Sequence, residues 1–223
     1  MPASSANRPI GRNISVFDRL IVSTDQALRT LFGSAASPAA RPYPAEGIEE
    51  TVAASAQRRQ AAALMRVNHS GEVAAQALYQ GQAAVASDPQ TQERLAEAGR
   101  EETEHLAWCA RRIAELGGRT SVLNPLWYAG SFAIGALAGL TGDRNSLGFV
   151  AETERQVVEH LEQHLRVLPQ EDRRTRAIVE QMSADEARHG SNAISAGAAT
   201  LPSFARGLMK VTAKVMTHSA YWV

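Results

Sequence analysis

An all-α protein with four long core helices is what this sequence predicts, and three observations predict it. No stretch alternates apolar and polar residues in the manner of a half-buried strand. Four long stretches instead repeat apolar residues at helical spacing. Their limits coincide with helix punctuation: "SDP" ending at Pro89, the pair Gly117 and Gly118, Pro169 and Gly197.

The 223 residues amount to about one domain, enough to bury a core without staples. Lys plus Arg and Asp plus Glu are 23 each, and no nucleic-acid signature occurs, so nucleic acid is excluded as a partner. Cys109 is the single cysteine, which rules out a disulfide framework and a cysteine-based zinc site and fits a reducing compartment.

The first residues carry Arg8 and Arg12 and no acid before Asp18, a pattern open to two readings, a disordered tail or a mitochondrial transit peptide. Residues 15–33 form a short amphipathic helix with Phe17, Leu20, Ile21, Leu28, Leu31 and Phe32 on its apolar side. "GSAASPAARPYPAEG" follows as a linker, because three prolines so close together cannot sit inside a helix. The first long helix spans 50–86, and Asp88 caps the second, with Pro89 at its first position, which runs to Gly117. Residues 120–142 carry no charge. Their length barely permits a membrane span, but Asn124, Pro125 and four glycines argue for something looser. The third long helix covers 146–168, the fourth 171–196, and the tail after Pro202 is helical again.

"EETEHL" at 101–106 puts Glu102 and His105 on a stripe made otherwise of Leu95, Ala98, Leu106, Cys109, Ile113 and Leu116. "DEARHG" at 185–190 repeats the pattern with Glu186 and His189, between Met182 and Ala193. Residues three apart on a helix project about 60° apart, so each pair can aim at one point. In the third helix Glu154 interrupts Leu147, Val150, Val157, Leu161, Leu165 and Leu168; in the first, Glu72 interrupts Met65, Tyr79 and Ala86 at intervals of seven. Each long helix therefore offers one inward glutamate, and the second and fourth add a histidine.

A lone inward glutamate is ordinarily a misjudged helix phase or an arginine's partner. Four together are different. Glu72 and Glu102 are 30 residues apart, Glu154 and Glu186 32, so two similar hairpins bring four carboxylates to one height in a bundle. Buried anions so close cost more than a marginally stable domain can bear, whereas two divalent cations cancel four glutamates. Carboxylate oxygen with imidazole nitrogen suits iron or manganese and leaves zinc open. This donor set, a glutamate from two helices and Glu-x-x-His from two others, is that of the ferritin-like di-iron and di-manganese bundles. Residues 48–223 are thus expected to form a ferritin-like four-helix bundle with a long crossover between its second and third helices, and residues 1–47 a tail, short helix and linker outside it. Glu93, Glu97, Glu101 and Glu104 are expected on a solvated face. His69 and Tyr79 are open between a site role and packing, Asp185 and Arg188 between orienting an imidazole and none, and His160 and His164 are left out of the ligand set.

The segments "RVNHSGE", "REETEHL", "AETERQVVEHL" and "DEARHG", with Glu72, Glu102, His105, Glu154, Glu186 and His189 in this order, resemble the demethoxyubiquinone hydroxylases of ubiquinone biosynthesis. The likeness runs from about residue 50 to the end. It implies an O₂-dependent di-iron monooxygenase, with two iron ions per chain held by those six residues, hydroxylating the ring of a polyprenylated demethoxyubiquinol. Glu102 and Glu186 would bridge the irons and Glu72 and Glu154 would be terminal. It also implies peripheral attachment to a membrane, the cytoplasmic face of a bacterial inner membrane or the mitochondrial inner membrane. Protein partners of the same biosynthesis and a homo-oligomeric state stay open.

The tail supports a greasy substrate independently. Arg206, Lys210, Lys214 and His218 recur every four residues, Phe204, Leu208, Val211 and Val215 take another face, and Tyr221 and Trp222 close the helix. Such a helix can lie in a bilayer interface or pack on the bundle. The rival functions are a ferroxidase or iron-storage protein with the same ligands, and a radical generator in which Tyr79 would be the redox tyrosine.

Overall fold

The computed structural model describes residues 16–33 and 41–223, with side chains in the first stretch from residue 24 onward. The arginines of the N-terminal tail, and Phe17, Leu20 and Ile21 as side chains, lie outside the described residues. Within them there are seven helices and no strand: α1 (Val16–Phe32), α2 (Ser55–Val85), α3 (Pro89–Glu115), α4 (Asn124–Leu140), α5 (Asp143–Val167), α6 (Arg173–Ser195) and α7 (Ser203–Trp222).

The hairpins α2–α3 and α5–α6 form the four-helix bundle, and α4 is the crossover between them, laid along α2. The helix limits follow local chemistry. Asp88 accepts from the backbone N–H of Thr91 at 3.0 Å and of Gln90 at 3.3 Å, which starts α3 behind its proline. Gly117 (φ 77°) and Gly197 (φ 93°) end α3 and α6 in the left-handed conformation that other residues resist. At the far end of the bundle the buried Arg112 guanidinium bonds Asp172 at 2.9 Å, Glu50 at 2.6 Å and the Thr175 hydroxyl at 2.8 Å. That network ties α3 to the start of α6.

Three apolar clusters are buried among the described residues, and two of them lie along the glutamate stripes. One gathers Met65, Trp108, Cys109, Ile113, Leu161, Ile178 and Met182; the other gathers Ala75, Tyr79, Leu95, Val150 and Ala193. The glutamates fall between them along the same stripes, so apolar plugs flank the charged layer on both sides. The seven-residue spacing on α2 is realised directly, with Met65, Glu72, Tyr79 and Ala86 all buried.

Three expectations are corrected. Residues 120–142 are not loose: α4 is a continuous helix, and its glycines form the seam with α2. A Cβ on Gly135 would lie 2.2 Å from the Leu78 carbonyl oxygen, and one on Gly81 2.2 Å from that of Phe132. Glycine lets the two backbones close where any side chain would hold them apart. The start of α4 is fixed by Asn124, whose side-chain carbonyl accepts from the Ser70 hydroxyl at 2.8 Å. Second, α1 meets the bundle through Ala27 and Leu31, whereas Leu28 and Phe32 are exposed. Third, the proline-rich stretch packs from residue 41 onward: Tyr43 and Ala45 are buried in the core, so the bundle begins before residue 48.

The apolar face of α7 does not pack on the bundle. Phe204, Leu208, Val211, Val215 and Trp222 are exposed, and α7 meets the bundle through a third face bearing Ala205, Met209, Ala213 and Ala220. Its last carbonyls, of Ala220 and Tyr221, accept from the Arg66 guanidinium at 2.8 and 2.6 Å, which places a cation at the negative end of the helix. On α4, Leu126, Leu137 and Leu140 are exposed as well. Among the described residues no helix is long and apolar enough to cross a membrane.

Candidate metal centre

The six predicted residues meet in the middle of the bundle as two groups of donors. Glu72, Glu102, His105 and Glu186 form one; Glu102, Glu154, Glu186 and His189 form the other, with donor atoms within 4.8 Å of one another in each. Glu102 and Glu186 belong to both groups, Glu72 and Glu154 to one each. All six residues are buried.

Each histidine turns its Nδ1 to the carboxylates. His105 Nδ1 is 3.0 Å from Glu186, 3.2 Å from Glu102 and 3.6 Å from Glu72; His189 Nδ1 is 3.2 Å from Glu186 and 3.5 Å from Glu102. Each Nε2 turns outward to a further acid. His105 Nε2 donates to Asp185 at 3.0 Å and His189 Nε2 to Glu101 at 3.1 Å. With Nε2–H held in this way, a cation at the centre that displaces the Nδ1 proton meets the Nδ1 lone pair in both rings.

Electrostatics explain why the site needs a cation. Burial, and then repulsion from Glu102, pushes the Glu72 carboxyl well above its ordinary range; burial, and then Glu186, does the same to Glu154. Burial opposes charge on His105, yet its bonds to Asp185, Glu102, Glu186 and Glu72 hold its pKa well above the usual value. On His189 the same contest, burial against Glu102 and Glu186, ends at about 11. Both oxygens of Glu154 are buried and have no hydrogen-bond partner among the described residues, and Oε1 of Glu102 and of Glu186 have none near them but the Nδ1 atoms of the two histidines. Buried carboxylates gathered about two imidazole nitrogens suit two divalent cations, and the oxygen and nitrogen donors suit iron or manganese. These buried Glu/His groups can bind metal.

The acids on α3 are corrected in part. Glu93 and Glu97 are exposed as expected, but Glu101 and Glu104 are not a solvated face. Glu101 bonds His189 and the Arg188 guanidinium. Glu104 is buried and paired with Arg41, which also bonds Asp185 at 2.8 Å and lies 5.0 Å from the centroid of the Trp108 ring. Asp185 does orient an imidazole, that of His105 on the other helix, and Arg188 bonds it at 3.1 Å. A signal for Glu101 was present in the sequence: an acid immediately precedes the ligand glutamate in both motifs, as Glu101-Glu102 and Asp185-Glu186. Arg41 had no such signal, since composition around it speaks only against helix.

His69 is a packing histidine, 3.3 Å from the Asn124 side chain of α4. Burial lowers its pKa to about 4. Tyr79 lies in the apolar plug with its hydroxyl unpartnered among the described residues. His160 and His164 stand outside the donor groups, as expected, and line a cavity instead.

That cavity, of about 860 Å³, is bounded by α2, α4, α5 and α7 and lined mainly by apolar side chains. Glu72 lines it, so it reaches the metal centre; Ile134, Phe204 and Leu208 line it too and are themselves exposed, so it opens on the apolar faces of α4 and α7. It has the size and character of a site for a mostly apolar small molecule.

The model of the family described as ubiquinone biosynthesis protein COQ7 matches residues 59–220. A 3-demethoxyubiquinol 3-hydroxylase of Aromatoleum aromaticum is 57% identical over 206 residues, covering 92% of this chain and 99% of that protein. Proteins of the same name from Nitrosococcus oceani and Bordetella parapertussis are each 54% identical, the first over 96% of this chain and 99% of its own, the second over the whole of both. The order of ligand-type residues, the crossover and these matches agree, and the chain belongs to the COQ7 family of ubiquinone biosynthesis proteins.

Proposed function

We propose that this protein is a 3-demethoxyubiquinol 3-hydroxylase that holds two iron ions per chain and uses O₂ to hydroxylate the ring of a polyprenylated demethoxyubiquinol. The observation that carries the reading is the pair of donor groups sharing Glu102 and Glu186 beside an apolar cavity lined by Glu72. Glu72, Glu102, His105 and Glu186 would hold one ion and Glu102, Glu154, Glu186 and His189 the other, so that Glu102 and Glu186 would serve both and Glu72 and Glu154 one each. When bound, paired ferrous ions supply electrons for the reduction of O₂.

The chain's own residues do the rest. Asp185 and Glu101 keep the imidazoles oriented. The plugs containing Met65 and Tyr79 keep water from the charged layer. The apolar cavity accepts the ring with part of its prenyl chain, and the remainder leaves between α4 and α7. Exposed Phe204, Leu208, Val211, Val215 and Trp222, with Arg206, Lys210 and Lys214 beside them, attach the protein peripherally to a membrane surface. In a bacterial cell that surface is the cytoplasmic face of the inner membrane. An iron-storage role calls for polar exteriors on its helices, and nothing in the apolar faces of α4 and α7 favours it.

The test is iron analysis of the purified protein together with hydroxylation of a demethoxyubiquinol in vesicles. About two irons per chain and O₂-dependent product are expected. Less than one metal per chain, or iron without hydroxylation, sinks the reading.

A further inference from the structure

Each imidazole of the metal centre is held by an acid, and each acid is held by an arginine. Asp185 Oδ2 accepts from His105 Nε2 at 3.0 Å and from the Arg41 guanidinium at 2.8 Å; Glu101 Oε2 accepts from His189 Nε2 at 3.1 Å and from Arg188 Nη2. Arg188 also reaches the other acid, its Nη1 donating to Asp185 Oδ1 at 3.1 Å. One guanidinium therefore spans the two carboxylates that hold the two histidines. An unbroken chain of hydrogen bonds runs from His105 through Asp185, Arg188 and Glu101 to His189.

Exposed ion pairs ordinarily contribute little, and the Arg188 side chain is 47% exposed. Its worth lies in what it restrains. Among the described residues the Glu101 carboxylate has two partners, His189 and Arg188. A partly exposed glutamate freed of its cation regains rotamers that point into water, and each of those releases the imidazole. Asp185 is held more firmly, because it is buried and bonds Gln181 at 3.2 Å as well as Arg41 and Arg188. The planar guanidinium suits the double task, since two of its nitrogens meet two carboxylates at once and an ammonium offers a single point of charge. Arg188, Glu101 and Asp185 do not line the apolar cavity.

We propose that Arg188 is the positioning residue for both histidine donors: it holds His189 through Glu101 and, together with Arg41, it holds His105 through Asp185. This rests on the reading of the six buried residues as the holders of two ions. It gives Arg188 no contact with metal, O₂ or substrate.

The experiment withdraws iron from the full-length, iron-loaded protein with a graded chelator under anaerobic conditions and follows the two ions as they leave. Arg188→Leu is expected to lower iron affinity about three- to tenfold, less than loss of either acid because it stands one bond further from the imidazole. Arg41→Leu, which touches only Asp185, is expected to loosen one ion and spare the other. Arg188→Lys is expected to fall between wild type and the leucine variant, because its ammonium cannot fork across both acids. Added to Asp185→Asn with Glu101→Gln, Arg188→Leu is expected to cost nothing further, since both acids through which it acts have lost their charge. A loss that persists in that background marks packing or through-space charge and overturns the proposal, as does wild-type iron affinity in Arg188→Leu. Should the leucine variant fail to fold, Arg188→Lys decides, and wild-type affinity in it overturns the proposal. Wild-type protein that holds two irons but does not hydroxylate overturns the proposed reaction alone, whereas less than one iron per chain overturns both.

Discussion

Asp185 of α6 accepts the Nε2 proton of His105 on α3 at 3.0 Å, and Glu101 of α3 accepts that of His189 on α6 at 3.1 Å. Each helix thus orients the histidine of the other through the residue just before its own buried glutamate, Glu186 or Glu102. Asp185 is 1% exposed as a side chain and Glu101 30%, so the two bonds are not equal in worth. Asp185→Asn is expected to weaken iron binding by roughly 10- to 100-fold, and Glu101→Gln toward the lower end of that range. Iron titration against a competing chelator measures both, with exposed Glu97→Gln as the unaffected control.

Sharing predicts an asymmetry among the glutamates. Glu186→Ala removes a donor from both groups and is expected to abolish binding of both metals, whereas Glu72→Ala impairs only one group. Metal per chain, measured under limiting and saturating iron, separates the two. Glu104 is no neutral control, because Glu104→Ala leaves the Arg41 guanidinium without one of its partners beside Asp185.

Stability of the metal-free protein should fall as pH rises. The pKa of His189 is raised to about 11 in the fold, so its contribution is complete below about 6.5, the unfolded value, and is lost toward 11; that of His105 is raised too and acts in the same direction. Glu72 and Glu154, raised well above 4.5, act in the same direction. Thermal melts between pH 6 and 10 should show a declining melting temperature without metal and a nearly flat one with iron bound, since the ions take over the neutralising role.

The α2–α4 seam predicts a stability contrast between two glycines of one helix. Gly135→Ala forces a Cβ against the Leu78 carbonyl and is expected to cost about 1–3 kcal/mol. Gly130→Ala meets nothing within 4 Å and is expected to be neutral or stabilising by up to about 1 kcal/mol. Chemical denaturation measures the difference.

Attachment to a lipid surface is tested at Phe204 and Leu208, both exposed on α7. Phe204→Glu with Leu208→Glu should reduce vesicle co-sedimentation by at least about tenfold, as about 1.5–3 kcal/mol of burial is forfeited per side chain. Iron content should not change.

The donor residues were legible because each sits in phase with a long apolar stripe, and a glutamate at the position of a core residue is conspicuous there. Glu101 and Glu104 were not, since a residue next to an inward one points about 100° away from it. Whether that direction meets water or a neighbouring helix is decided by packing between α3, α6 and the 41–47 strap. The glycines of α4 misled for a related reason: propensity counts them against a helix, and only the presence of α2 turns them into contacts. Arg41 carries no periodic signal at all.

The cavity takes its walls from α2, α4, α5 and α7, whereas both histidine donors and their orienting acids come from α3 and α6. The two sets meet on α2 and α5, which supply Glu72 and Glu154 to the donor groups while walling the cavity. Substitutions on α4 and α7 therefore reach the cavity without touching a donor, and those at Asp185 or Glu101 reach a histidine donor without touching the cavity, whereas a change on α2 or α5 can affect both.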